Sequence, residues 1–273
     1  MRTSSPVTGA LGAALLLLAQ AGDALAGASI EAVSDLDPSV LPDPEGYEPA
    51  EPLGVPGNAP EVPGNATTLP AFRYGQLGAS ACMNELWRRK IPFVRVGSAR
   101  GVAAPVRLRG PLGGVSFHSA LPERARASSV YEIFDCRLVL ALDDFARILR
   151  KFDVVEVVHY SAYRPPPTRG WSPGKIGHRH SGALALDAGK LVRRDGTVLD
   201  VEKDFHGRIG ARTCGAKAGP VPATPEALAL RGIVCEAADA HLFNVSLTPN
   251  YNWQHRNHFH LEVTSGARWF IVH

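Results

Sequence analysis

The sequence predicts an α+β domain behind an export signal and a linker, and three observations carry that prediction. Apolar residues recur at helical spacing over residues 136–152, a β-branched run follows at 154–160, and further strand-like runs are separated by glycine and proline. With 27 glycines and 22 prolines among 273 residues, much of the chain is loop, which argues against a compact helical bundle. At 45% hydrophobic and 20% charged residues, the remainder is of ordinary globular composition, with room for one or two domains.

Arg2 precedes the apolar stretch 10–19 (ALGAALLLLA), and Ala24, Leu25 and Ala26 supply the small-x-small pattern of a signal-peptidase site. Ten apolar residues are too few to cross a hydrocarbon core of about 30 Å, so a cleavable signal, cut after Ala26, is expected rather than an anchor. No cysteine follows the apolar stretch to carry a lipid, and the mature protein is expected in the periplasm or outside the cell, with no stable membrane insertion after cleavage. Residues 27–70 carry nine prolines and eight acidic residues but no lysine or arginine, the composition of a disordered linker.

Residues 71–273 are left to form the functional domain. Of 29 basic residues only Arg2 precedes it, against nine of 26 acidic ones, so 28 minus 17 leaves +11. A basic exported domain suits an anionic partner such as an envelope polymer, and the scatter of the charges points away from nucleic acid. The four cysteines Cys82, Cys136, Cys214 and Cys235 are even in number and lack CxxC spacing, which in an exported chain favours two disulfides over metal ligation. Three pairings are open; the shortest closures, Cys82 with Cys136 and Cys214 with Cys235, are the expected ones.

Within 136–152 (CRLVLALDDFARILRKF), Leu138, Leu142, Phe145, Leu149 and Phe152 fall three and four apart, as on an amphipathic helix. The run 154–160 (VVEVVHY) reads as a buried strand, and 183–187, 192–199 and 258–263 as further strands. Before the long helix, one helix is expected around 81–90, with short strands after it.

Five of the ten histidines stand in two clusters, His178 and His180 in one and His255, His258 and His260 in the other. On a strand, positions two apart share a face, so His258 and His260 point into one site; Ala183, Ala185 and Asp187 likewise share a face, with small side chains beside the carboxylate. Two histidines and an aspartate form an N,N,O donor set for zinc, with a fourth position left for water. A lone histidine is more often packed than liganded, and His159, inside the apolar run, is expected to be buried and hydrogen-bonded. His178 and His206 are candidates to line a cleft. Trp171 in RPPPTRGWSPGK is either a sugar or peptide platform or a loop tip. The chain has no GxSxG elbow and no glycine-rich phosphate loop, so serine-hydrolase and nucleotide chemistry are excluded.

Ser161-Ala162-Tyr163-Arg164, His180 with Ala185 five and Asp187 seven residues on, and HxxHxH from His255 to His260 resemble the SxYR, SxHxxGxAxD and HxH signatures of the zinc D,D-peptidase superfamily. That group includes D-alanyl-D-alanine carboxypeptidases and penicillin-insensitive murein endopeptidases, and the hedgehog signalling domain shares its fold. The signal, the cysteine-bearing N-terminal half and the N-H-F-H ending are most similar to the bacterial extensin-like C-terminal domain proteins, over roughly residues 72–263. The chain departs from the motif where its serine, two before the first ligand, is His178 and its glycine, three after, is Ala183. The glutamate base of the dipeptidases in the group is Asn257 here, so the sequence resembles the histidine-base branch.

The resemblance implies a small antiparallel sheet with flanking helices, carrying Zn2+ on His180, Asp187 and His260. It implies His258 as general base, Arg164 as the cation that stabilises the substrate carbonyl or its oxyanion, and His255 as a residue orienting His258 or the intermediate. The activity it implies is a zinc metallopeptidase acting on peptidoglycan stem peptides or cross-links by metal-activated water. The alternative is a non-catalytic, zinc-containing envelope protein that only binds the wall polymer. A metal-dependent phosphodiesterase would need extra carboxylates, of which Glu262 is the nearest, expected on the strand face of His260.

Overall fold

The computed structural model describes residues 60–171 and 179–273; the signal, the linker before residue 60 and His178 lie outside the described residues. Pro70 sits in the first turn of α1 (Pro70–Gly75), where its missing N–H leaves no helical bond unmade, and α2 (Ala79–Arg88) follows. Strands β1 (Phe93–Arg95), β2 (Pro105–Leu108) and β3 (Ser116–Ser119), the single turn α3 (Glu123–Arg126) and β4 (Phe134–Asp135) lead into the long helix α4 (Cys136–Lys151). After it come β5 (Val154–His159), β6 (Ala185–Arg193), β7 (Val198–Asp200), α5 (Val201–Asp204), α6 (Pro225–Asp239), β8 (Val245–Leu247), β9 (Phe259–Glu262) and β10 (Ile271–Val272).

Helix α4 follows the apolar spacing of its sequence. Asp135 caps its start by accepting the Arg137 amide at 3.0 Å, and the same carboxylate holds the Arg137 guanidinium at 2.8 and 3.0 Å. Leu138, Leu142, Phe145 and Leu149 are fully buried, and Phe145 meets Phe243 edge to face. Arg150 and Lys151 close the last turn, beside the free carbonyls. The helix packs against α1, α2, α6 and β5, which makes it the spine of the main core.

The seven-stranded main sheet runs β10-β8-β9-β6-β5-β3, with β7 added to β6. It is larger than the sheet implied by the resemblance and it is mixed. β3 runs parallel to β5 because the chain crosses between them through α4, and β10 runs parallel to β8; the other pairs are antiparallel. A separate antiparallel sheet, β1-β2-β4, occupies the N-terminal half. The run 192–199, read above as one strand, is the hairpin between β6 and β7: Asp195 accepts the Thr197 amide at 2.9 Å, and Gly196 takes φ +87°.

The folded body also reaches back before residue 70. Glu61 exchanges backbone bonds of 2.7 and 2.8 Å with Phe270, and Ala66 packs with Ala71 and Phe270. Composition gives no sign of this, because the partner lies at the far end of the domain. Both disulfides join the nearest cysteines: Cys82–Cys136 ties α2 to the start of α4, and Cys214–Cys235 ties a loop to α6. No helix among the described residues is long and apolar enough to cross a membrane. The disulfides are compatible with export.

His159 closes β5 with its ring edge-on to Phe134 at 5.6 Å. It is fully buried, as expected, but neither ring nitrogen has a hydrogen-bond partner among the described residues. Burial pushes its pKa down to about 3, so the imidazole is neutral. The unfolded chain binds a proton there below its ordinary value near 6.5, and the folded chain does not until about 3, so this group makes stability fall as pH drops through that window. We expect His159→Leu to flatten the pH dependence of urea unfolding between pH 6.5 and 4 relative to the parent. Replacing Cys82 and Cys136 together by serine is expected to lower the unfolding free energy by about 4 kcal/mol, and replacing Cys214 and Cys235 by about 3 kcal/mol, in urea melts without reductant.

Candidate metal centre

Three segments bring the donors together. β6 and β9 pair with Asp187 opposite His260, so the two side chains leave the same face of the sheet at adjacent positions. Asp187 also joins the end of β5, its carbonyl accepting the Tyr160 amide at 2.9 Å and its amide donating to Ser161 O at 3.0 Å. His180 stands in the short turn Arg179–Gly182 that delivers the chain into β6. Ala183, which replaces the motif glycine, takes φ +53°, a conformation glycine adopts more readily. The Arg179 carbonyl accepts the Leu184 amide at 2.8 Å and closes the turn.

The nitrogens converge on one oxygen. His180 Nε2 and His260 Nδ1 each lie 3.1 Å from Asp187 Oδ1, and they lie 3.3 Å from each other. A tetrahedral zinc with bonds of ~2.0–2.1 Å requires donor separations of roughly 3.3–3.4 Å, so this triangle fits such an ion with little movement. His258 Nε2 approaches the same oxygen at 3.4 Å. The far nitrogen of each ring is anchored to the protein. His180 Nδ1 faces Ala162 O at 3.4 Å, His258 Nδ1 faces Asn257 Oδ1 at 2.8 Å, and His260 Nε2 faces Glu262 Oε2 at 3.2 Å. These acceptors fix the tautomers that leave the inner lone pairs for a metal or a proton.

The other oxygen, Oδ2, accepts Ser161 Oγ at 2.9 Å and the Arg164 guanidinium, whose Nε also donates to Ser161 Oγ at 3.0 Å. Burial raises the Asp187 pKa, but His180, His258 and Arg164 outweigh it and hold the carboxyl well below its ordinary value. Burial lowers His180, and lowers His258 to about 4 and His255 to about 2, so these rings are neutral near pH 7. His260 is opposed by the same burial, yet its hydrogen bonds to Asp187 and Glu262 raise it to about 9. Without a metal, this ring carries the proton that the shared oxygen requires.

All six site residues named from the sequence therefore meet in one place. His255 joins through its ring, 5.1 Å from His258 and 5.7 Å from His260, and its Nδ1 meets Asn252 Oδ1 at 2.7 Å. Glu262 shares the His260 face, as expected, but it serves that ring and Thr264 Oγ1. Trp171 packs beside the ligand turn: a Cβ on Gly101 would fall 2.6 Å from Ser181 O and 2.9 Å from the indole, so the tryptophan seats where only glycine fits. His206 has no hydrogen bond or ion pair to the cluster among the described residues. Sequence reasoning did not assign a site role to Asn257, Ser161 or Tyr160. Ser161 opens the SxYR match, and Asn257 and Tyr160 are immediate neighbours of motif residues; those positions are the signal available.

Asp187→Asn keeps the side-chain volume and removes the anion around which the cluster is built. In metal-free buffer it is expected to cost about 2–3 kcal/mol in a denaturant melt, since Arg164 remains partly buried without its counter-charge. The difference from the parent should shrink below pH ~4, where the unfolded carboxyl protonates and stability tied to a depressed folded pKa is lost.

No curated protein and no solved structure matches this chain. Residues 80–271, well over half of it, match the model of the extensin-like protein C-terminus. The match takes in both disulfides and every residue of the cluster, and the chain belongs to the extensin-like C-terminal family.

Proposed function

We propose that this protein is an exported zinc-dependent peptidase that cuts amide bonds in peptidoglycan stem peptides or their cross-links. The observation that carries the reading is the common aim of His180 Nε2, Asp187 Oδ1 and His260 Nδ1, at separations of 3.1 to 3.3 Å, with a neutral His258 beside them. Zinc held by those three atoms would polarise the scissile carbonyl and bring the pKa of a water towards 7.

The chain's own groups then divide the work. His258, its Nδ1 tied to Asn257, presents an Nε2 lone pair, takes a proton from the attacking water and returns it to the leaving amine. Asn257 stands where the dipeptidases of the resembling superfamily place a glutamate, and it supports the histidine as base. Arg164 keeps Oδ2 occupied so that Oδ1 faces the donors, and its charge lies close to the developing oxyanion. Glu262 orients His260 through Nε2. The basic balance of the domain suits the anionic wall. One observation favours the binding-only alternative: the Arg164 guanidinium, which a peptidase would offer to substrate, is already paired with Asp187.

Incubation of purified sacculi with the mature, zinc-loaded protein, followed by mass spectrometry of the soluble muropeptides, separates the two. The peptidase reading expects new fragments that vanish on chelation and fall about 100-fold or more with His258→Ala, while that variant keeps its metal. Absence of fragments from the metal-loaded parent, with salt-sensitive pelleting on sacculi, would establish the binding protein instead.

A further inference from the structure

We propose that Tyr160 is a substrate-binding residue of this centre, its phenol hydroxyl donating a hydrogen bond to the substrate oxygen that becomes anionic beside the metal donors. The inference rests on the reading of the cluster as a metal centre for an acyl substrate.

The backbone of Tyr160 is fixed against the ligand strand. Its amide donates to Asp187 O at 2.9 Å, and the next residue, Ser161, donates its hydroxyl to Asp187 Oδ2 at 2.9 Å. The direction of the ring follows from Gly189. A Cβ built there would lie 2.6 Å from Tyr160 Cζ, 2.8 Å from its Oη and 2.9 Å from Cε2, so the phenol tip rests on bare backbone. Gly189 is the residue of β6 that the register shift with β5 passes over, and the tyrosine, bonded through its amide to Asp187 and packed on His258, lies on the donor side of the sheet. The ring stands edge-on to His258, with centroids 6.0 Å apart.

The hydroxyl is available in a way its neighbours are not. Tyr160 is only partly buried, and among the described residues its Oη makes no hydrogen bond. The polar groups of the cluster are engaged, Ser161 and Arg164 on Asp187, His258 on Asn257 and His260 on Glu262, and the charges of Asp200, Glu202 and Arg256 lie on the phenol's other side without bonding it. A tetrahedral oxyanion needs a donor fixed close to where its charge appears, and hydrogen bonds to charged oxygens are stronger than those between neutral groups. A phenol held over a glycine by a locked backbone, beside the proposed base, meets that requirement without reorganising.

The test uses cobalt(II)-loaded parent and Tyr160→Phe, titrated with acetohydroxamate and followed by visible absorption, with metal content measured for both. The variant keeps the ring on Gly189 and is expected to hold one cobalt per chain, as the parent does, while binding the hydroxamate at least tenfold more weakly. With zinc and sacculi its kcat falls more than tenfold and its KM stays within twofold. Equal hydroxamate affinity in parent and variant overturns the assignment, and so does loss of cobalt from the variant, which would make Tyr160 a support of the metal site. A parent that binds hydroxamate but releases no muropeptides overturns the peptidase reading alone; the affinity ratio still decides Tyr160. A parent that binds no cobalt overturns both.

Discussion

The Asp187 carboxylate is the constraint around which the domain is organised. It is fully buried, and a buried anion persists only where donors surround it. Its two oxygens divide those donors: Arg164 and Ser161 take Oδ2, while three imidazoles approach Oδ1. To bring them there, β5, β6 and β9 must lie side by side in one register, since a shift of one residue on β9 would turn His258 and His260 to the opposite face. The scaffold also has to resist the cost of concentrating so many polar groups. It does so through a continuous apolar core on α4, with one disulfide at the start of that helix and another on α6.

The parts of this design that were legible in the sequence are those with short-range signals. The five-residue apolar stripe of α4, the β-branched run of β5, the His-x6-Asp spacing and the HxH alternation each describe local geometry, and each is found where it was expected. The cysteine pairing was legible because the shortest closures are the ones formed. The rest depends on contacts between distant segments. Nothing near Ser116 tells that β3 will run parallel to β5, and nothing near Glu61 points to Phe270. The hairpin at Asp195 and Gly196 was signalled by the Asp-Gly pair itself, which a reading of 192–199 as one strand passed over. His159 shows the reverse error: burial was legible, but the missing hydrogen bonds were not.

Within the site, chemistry was more legible than its support. The clustered histidines and aspartate announce themselves by spacing, whereas Glu262, Asn257 and Ser161 act on them through single hydrogen bonds that no periodicity records. Their effect on charge is nonetheless decisive. Glu262 and Asp187 together keep His260 protonated near neutrality, while burial keeps His258 and His255 neutral. Among four neighbouring histidines, two carboxylates thus set His260 apart from three rings that burial keeps neutral.

Strand β6 changes partners along a single edge, pairing with β9 over Ala185–Ala188 and with β7 over Lys190–Val192. Gly189 falls at the seam, and on the other edge β5 pairs with β6 only from Ala188 to Arg193, with a register shift that passes over Gly189. The stretch that carries Asp187 and the stretch that meets β7 therefore answer to different partners. The seam thus divides one strand into a stretch committed to the Asp187 cluster and a stretch committed to the hairpin, two neighbourhoods that share a backbone but not their packing.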